Sequence, residues 1–444
     1  MSLEPANPLA VDPLLDDPET RIVVCCGSGG VGKTTTAAAL GLRAAERGRR
    51  VVVLTIDPAR RLAQSMGIDS LDNVPRQVPG IEGKGELHAM MLDMKRTFDE
   101  IVEAHADPER ARAILENPFY QSLSAGFAGT QEYMAMEKLG QLRATDAWDL
   151  IVVDTPPSRS ALDFLDAPKR LGSFLDGKLI RLLMAPAKVG GRAGMKFLNA
   201  GMSMMTGVLG KLLGGQLLRD VQTFVAAMDS MFGGFRTRAD ATFQLLQAPG
   251  TAFLVVAAPE RDALREAAYF VERLGAEKMP LAGLVLNRVH SSGAAQLSAE
   301  QALAAAENLD GGGIVDQSPG KAGLVGNSAA EAATDRATSS GPGSPADQDG
   351  VRADTAAGAE EEKDADEEVP VPVEELTAGL LRLHAERMRL LAREQRTRDR
   401  FTARHPEVPV AEVAALPGDV HDLAGLRAIG TYLAEAGTGP ADEA

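Results

Sequence analysis

Residues 22–35 read Ile22-Val23-Val24-Cys25-Cys26-Gly27-Ser28-Gly29-Gly30-Val31-Gly32-Lys33-Thr34-Thr35. The first five are continuously apolar, which is typical of a buried strand in a parallel sheet. Residues 27–34 satisfy the pattern G-x-x-x-x-G-K-[ST], and the alanine- and leucine-rich residues that follow predict a helix, which ends before Gly48. The motif therefore lies between a strand and a helix, which is the structural context that phosphate binding requires.

This glycine loop predicts a binding site for a nucleoside triphosphate and Mg²⁺. Glycines let backbone N–H groups turn toward phosphate oxygens, and the following helix adds positive potential at its N-terminus. Lys33 is expected to reach the β- and γ-phosphates, and the Thr34 hydroxyl is expected to bind Mg²⁺. The candidate nucleotide-binding residues of the loop are Gly27, Ser28, Gly29, Gly30, Val31, Gly32, Lys33, Thr34 and Thr35.

Two aspartates follow other apolar runs. Asp57 comes after residues 51–56 and Asp154 after residues 150–153, so both are expected at the carboxyl edge of the sheet, where α/β proteins bind ligands. Asp57 is a candidate for orienting the attacking water, and Asp154 is a candidate for the magnesium shell. For each aspartate, capping of a local turn or helix is the structural alternative.

Further apolar runs predict strands at residues 87–92, 252–257 and 281–286, and most of these runs are separated by helical stretches. Strands that alternate with helices predict an α/β fold with a doubly wound, mostly parallel sheet of the P-loop NTPase type. An inserted helical subdomain, rich in methionine in its second part, is expected at about residues 97–143 and 171–235.

The predicted organisation is as follows: a disordered N-terminal tail (1–20), the P-loop ATPase core (21–290), a disordered acidic insertion (291–369) and the C-terminal part of the ATPase domain (370–444). The insertion is rich in Gly, Ala, Ser, Asp and Glu, a composition that buries too little apolar surface to fold. The insertion interrupts one domain and does not separate two.

Charge and cysteine content exclude several classes of protein. The net charge of −16 argues against a nucleic-acid partner, and no apolar run is long enough to span a membrane. The two cysteines, Cys25 and Cys26, are adjacent, so they would point to opposite faces of a strand and could not share a disulfide or a metal. A cytoplasmic location is expected, with peripheral membrane association as an alternative.

Three segments together carry a resemblance to a known family: the loop at 28–35, Asp57-Pro58-Ala59 and residues 153–157, Val-Asp-Thr-Pro-Pro. In this order they resemble the ArsA-type ATPases, which include an arsenite-pump ATPase and a factor that targets tail-anchored proteins to membranes. The resemblance implies ATP and Mg²⁺ as ligands, Asp57 as the water-activating residue and Asp154 as the start of the second switch. It also implies that Asn287 reads adenine and that Pro417 lies in a loop against the base; an asparagine in a turn is the alternative for Asn287.

The chain departs from the family pattern at two places. The position of the signature lysine, which reaches a partner's phosphates across a dimer, is occupied by Ser28. Hydrolysis is therefore expected to be slow, or to need another basic residue, or to need a paralogous partner, so that a homodimer and a heterodimer both stay open. The cysteines needed for arsenite binding and for a zinc clasp are also absent.

Residues 171–235 contain seven methionines among glycines and single lysines. Flexible methionine surfaces accept varied apolar partners, although packing against the protein body explains the composition equally well. The leading hypothesis is an ATP-hydrolysing dimeric switch that acts on a hydrophobic or membrane-associated protein client. The alternatives are a positioning ATPase of the ParA or MinD kind, the ATPase subunit of an anion-transport complex, and a metabolic enzyme.

Overall fold

Eight strands form one sheet in the order β3-β4-β2-β5-β1-β6-β7-β8, and only β3 runs antiparallel to its neighbour. Their bounds are β1 Ile22–Cys26, β2 Arg50–Thr55, β3 Arg76–Gln77, β4 Glu86–Met91, β5 Leu150–Asp154, β6 Thr251–Ala257, β7 Leu281–Val289 and β8 Val410–Ala414. The predicted mostly parallel α/β fold is confirmed. The computed structural model describes residues 7–57, 61–123, 130–156, 220, 224, 234, 237–311 and 372–435.

The described residues also form helices. They are α1 Val11–Asp16, α2 Lys33–Glu46, α3 Arg61–Ser65, α4 Met94–His105, α5 Pro108–Leu115, α6 Pro118–Leu123, α7 Thr130–Ala144, α8 Arg261–Ala276, α9 Ala299–Gly311, α10 Val373–Arg404 and α11 Leu423–Glu435. Residues 237–247 are also helical. None of the helices in the described ranges is long and apolar enough to cross a bilayer.

Each face of the sheet packs into its own apolar core, because successive side chains of a strand point to opposite faces. On β1, Val24 and Cys26 lie in the core that α4, α7 and α8 cover, and Val23 and Cys25 lie in the core that α2 and α11 cover. Cys25 and Cys26 are buried free thiols on opposite faces, as the sequence predicts.

The N-terminal tail differs from the prediction of disorder over residues 1–20. Residues 11–16 form α1, which contacts α2 and α11 and buries Val11 and Leu15 completely. Asp12 accepts hydrogen bonds from Arg43 of α2, and Leu9 donates a backbone hydrogen bond to Val410 of β8 at 3.1 Å. These contacts with residues far away in the chain stabilise a helix that is too short to form alone.

The start of the predicted disordered insertion, 291–369, is also ordered. Ser298 and Gln301 form a reciprocal capping box: Ser298 Oγ accepts from the amide of Gln301, and Gln301 Oε1 accepts from the amide of Ser298. Helix α9 follows this cap. Composition averaged over the acidic stretch obscures this local signal. Residues 312–371 lie outside the described residues, as does the methionine-rich segment 171–235 apart from positions 220, 224 and 234.

The chain divides into two compact units. One consists of Met1–Gly293 and Arg389–Ala444, and the other of Ala294–Met388. The sheet belongs to the first unit, and β8 adds the C-terminal part of the chain to it through its parallel pairing with β7. All the candidate site residues therefore belong to one unit.

Candidate functional site

The glycine loop connects β1 to α2 in a conformation that only glycine accommodates at two points. Gly27 has φ 151°, and a Cβ there would lie 2.1 Å from the carbonyl oxygen of Val256. Gly32 has φ 95°, and a Cβ there would lie 2.2 Å from Nδ2 of Asn287. The backbone of the loop is thus held close to β6 and β7.

Lys33 begins α2 and is only 5% exposed. Its Nζ donates a hydrogen bond of 2.8 Å to the carbonyl oxygen of Ser28, across the loop. Burial lowers the pKa of Lys33, while the nearby Asp154 carboxylate acts in the opposite direction. The ammonium group is therefore held inside the loop, where an anionic ligand would favour its charged form.

Asp154 is the last residue of β5 and is completely buried. Its Oδ2 accepts hydrogen bonds from the hydroxyls of Thr34 at 2.7 Å and Thr55 at 2.8 Å. Within the described part of the chain, its Oδ1 has no hydrogen-bond partner. Burial raises the pKa of Asp154 to about 6, against the lowering effect of the two hydroxyls.

These residues fit a magnesium-bound nucleotide. A buried carboxylate oxygen without a donor is costly unless a cation or another ligand meets it. The hydroxyl of Thr34 lies beside that carboxylate, and both are the hard oxygen ligands that Mg²⁺ prefers. The glycine loop and Lys33 supply donors for phosphate on the same edge of the sheet.

Asp57 lies two residues beyond the end of β2, at the same edge of the sheet, and is partly exposed. Its backbone N–H donates to Thr55 Oγ1 at 3.2 Å. The strand β2 is the neighbour of β5, and its register pairs Thr55 with Asp154. Asp57 and Asp154 therefore lie at the carboxyl ends of adjacent strands. Residues 58–60 and those from 157 onward, which belong to the two predicted switch segments, lie outside the described residues.

Asn287 lies within β7, whereas the strand predicted at 281–286 would have placed it just beyond the strand's end. It is 7% exposed, and its Nδ2 donates to the carbonyl oxygen of Val31 at 2.8 Å. The amide therefore supports the glycine loop, and adenine recognition stays a prediction. Pro417 is exposed and follows the carboxyl end of β8, while the preceding Leu416 packs against the core.

Thr55 belongs to the site, although it is part of none of the predicted motifs. A hydroxyl at the last position of an apolar strand, two residues before Asp57, was the available signal. Its importance depends on the lateral pairing of β2 with β5, which cannot be read from a single segment.

Comparison with known proteins places this sequence among ATPases. Residues 20–307, more than half of the chain, match the family described as Anion-transporting ATPase (ArsA_ATPase). The chain is 29% identical to the ATPase GET3 of Malassezia globosa over 174 residues, 39% of this chain and 50% of that protein. It is 27% identical to the ATPase GET3 of Podospora anserina over 282 residues, which cover 62% of this chain and 75% of the relative. With the ATPase GET3 of Ajellomyces dermatitidis it shares 27% identity over 291 residues, 65% of this chain and 77% of the relative.

Proposed function

Since this chain belongs to the ArsA family of anion-transporting ATPases, we propose that it hydrolyses ATP with Mg²⁺ and works as a dimeric, nucleotide-driven switch on a hydrophobic or membrane-associated protein client. The observation that carries the catalytic part is the buried Asp154 carboxylate, which accepts from the Thr34 hydroxyl and has one oxygen with no donor among the described residues. The relatives named ATPase GET3 support the same reaction.

The phosphate chain would be held by the backbone N–H groups of the loop and by Lys33. The Nζ of Lys33 now donates to the carbonyl of Ser28, and it would exchange that neutral acceptor for phosphate oxygens. A charge-assisted hydrogen bond to phosphate is the stronger of the two. Binding of the triphosphate would also offset the cost of burying the ammonium group.

Thr34 and Asp154 would hold Mg²⁺ through the hydroxyl and the carboxylate. When it is bound, the metal supplies positive charge to the β- and γ-phosphate oxygens. Asp57, on the neighbouring strand end, would orient the attacking water and accept its proton. Asp57 is partly exposed, which suits a carboxylate that has to meet a water molecule.

The dimeric part of the proposal is inferred from the family, and Ser28 bears on the kind of dimer, because the resemblance implies a lysine at this position that acts across the dimer. A homodimer of this chain lacks that cation, so a paralogous ATPase subunit could supply it. The client is inferred from the family and from the composition of residues 171–235, with methionines at 184, 195, 202, 204, 205, 228 and 231.

A thiolate site for arsenite is not supported. Cys25 and Cys26 are buried on opposite faces of the sheet, and burial raises the pKa of Cys25 well above its ordinary value and that of Cys26 to about 12. Thiols in such surroundings stay protonated and do not bind soft metals readily. The transported or delivered substrate is therefore inferred to be something other than arsenite.

Steady-state ATP hydrolysis across a protein concentration series, with light scattering for mass, tests the proposal. Lys33→Ala and Asp57→Asn should abolish turnover. Lys84→Ala is the matched control for loss of a lysine, because Lys84 is exposed and lies before the amino end of β4. Activity that rises with protein concentration supports the dimer. Constant specific activity of a monomer contradicts it, and turnover that survives Lys33→Ala contradicts the catalytic assignment.

A further inference from the structure

Thr55 connects the two aspartates of the site through a single hydroxyl. It is the last residue of β2 and is 1% exposed. Its Oγ1 donates to Oδ2 of Asp154 at 2.8 Å and accepts from the backbone N–H of Asp57 at 3.2 Å. The carbonyl oxygen of Asp57 lies farther away, at 3.5 Å, so the one hydroxyl proton goes to the carboxylate.

The two hydrogen bonds run in the same direction. The N–H of Asp57 donates to the hydroxyl, and the hydroxyl donates to the carboxylate of Asp154. Hydrogen bonds in such a chain polarise one another, most strongly in buried surroundings. The backbone at Asp57 is therefore linked to the Asp154 carboxylate, beside the backbone hydrogen bond of 3.0 Å from the N–H of Ile56 to the carbonyl oxygen of Asp154.

The second hydroxyl on Asp154 cannot serve the same purpose. Thr34 also donates to Oδ2, but its oxygen is a candidate ligand of Mg²⁺ and contacts no residue near Asp57 in the hydrogen bonds described. Thr55 touches both aspartates and is not a candidate ligand. The other buried positions of β2, Val51 to Leu54, are all apolar, and a buried hydroxyl among them is costly unless it is bonded.

We propose that Thr55 is a positioning residue that couples Asp57 to Asp154, so that the carboxylate that meets Mg²⁺ also sets the backbone that carries the water-orienting aspartate. This inference rests on the proposed ATPase function. It assigns to Thr55 a role in turnover and no role in holding the nucleotide.

Two substitutions separate the hydroxyl from the shape of the side chain. Thr55→Val keeps the β-branched shape and removes the hydroxyl, and Thr55→Ser keeps the hydroxyl. Thr251→Val is the matched control: Thr251 is a buried threonine at the start of β6, and its hydroxyl bonds to the carbonyl of Leu245, at the opposite edge of the sheet. The thermal midpoint of each full-length variant checks that it folds.

The first readout needs no nucleotide. Hydrogen exchange at the amide of Asp57, followed by mass spectrometry on the ligand-free protein, should become about tenfold faster in Thr55→Val, because the amide loses its acceptor. Thr55→Ser and Thr251→Val should leave this rate within about twofold of the wild type.

The second readout is the division of the effect between kcat and KM. Thr55→Val should lower kcat about tenfold or more with KM for ATP within about twofold, and Thr55→Ser should restore most of the turnover. Exchange and kcat both unchanged in Thr55→Val would overturn the coupling, and so would a loss that falls on KM alone. If the wild-type chain does not hydrolyse ATP, the proposed function fails, while the exchange rate at Asp57 still decides the link.

Discussion

Asn287 donates a hydrogen bond of 2.8 Å from its side-chain amide to the carbonyl oxygen of Val31, in the glycine loop 256 residues earlier in the chain. The donor is buried in β7, and the acceptor precedes Gly32, whose Cα faces the same amide. The loop that would cradle the phosphates is thus supported from the side by a strand that belongs to another part of the sequence.

Asn287→Ala should weaken nucleotide binding without changing base preference. Losing the donor leaves the Val31 carbonyl unpaired, which costs about 1–3 kcal/mol, and we expect ATP and GTP affinities to fall together by about tenfold. Asn287→Asp should lower both affinities further, because its carboxylate would face the carbonyl oxygen of Val31.

Titration calorimetry with non-hydrolysable analogues of ATP and GTP measures both affinities. Asn73→Ala, at a buried asparagine bonded to Glu100, is the control. Loss of ATP affinity alone would instead assign Asn287 to adenine.

Gly32→Ala should abolish nucleotide binding, whereas Gly30→Ala should only weaken it. Both glycines have positive φ, 95° and 78°, so both substitutions cost about 1–2 kcal/mol of backbone strain. A Cβ at Gly30 meets nothing within 4 Å, but a Cβ at Gly32 would lie 2.2 Å from Nδ2 of Asn287. The difference between the two variants measures the close approach alone. Adding Asn287→Ala to Gly32→Ala should recover part of the binding; equal loss in both single variants would contradict the clash.

The sequence was sufficient to locate most of the strands, because they are short apolar runs next to glycines and aspartates. Residues 22–26 are β1 as predicted, Asp57 follows β2, and Asp154 is the last residue of β5, at the same edge of the sheet. Periodicity and strand–helix alternation depend on local sequence, and so these features could be read directly.

The contacts that could not be predicted from the sequence are those between segments that are distant in the chain. Helix α1 depends on Arg43 and Arg47 of α2, and Thr55 matters because β2 pairs with β5. Asn287 reaches Val31 only because β7 lies two strands from β1 in the sheet. Strand order and register decide these pairings, and neither is encoded in the segment that carries the residue.

Asp154→Asn should make the stability of the metal-free protein less dependent on pH. Burial raises the pKa of Asp154 from 3.8 to about 6, so the folded state binds the proton more tightly than the unfolded state. The stability from that proton is complete below about pH 4 and is lost as the pH rises through about 6. Between pH 5 and 8 the wild type should lose about 1 kcal/mol relative to Asp154→Asn.

Urea unfolding in EDTA at the two pH values measures this difference. Magnesium with a non-hydrolysable nucleotide should reverse it, because a cation favours the ionised carboxylate and the asparagine variant cannot respond. A difference that stays constant from pH 5 to pH 8 would mean that Asp154 is ionised throughout, and the burial argument for its raised pKa would be wrong.

Ser28→Lys should raise turnover by about tenfold or more, and only at concentrations where the protein dimerises. A cation supplied by a partner contributes large factors to phosphoryl transfer, and the resemblance to ArsA-type ATPases implies a lysine at the position that Ser28 occupies. The side chain of Ser28 is partly exposed, and its backbone carbonyl, not its hydroxyl, accepts from Lys33. The substitution therefore adds a charge without removing that contact.

Ser28→Met, which adds similar length without charge, is the matched control. If the lysine and methionine variants turn over ATP equally, the missing cation does not limit hydrolysis, and the argument for a lysine-donating paralogous subunit falls with it. If only the lysine variant is active, the missing cation limits hydrolysis by the wild-type chain, and a mixture with a lysine-carrying paralogous subunit should reproduce the rate of that variant.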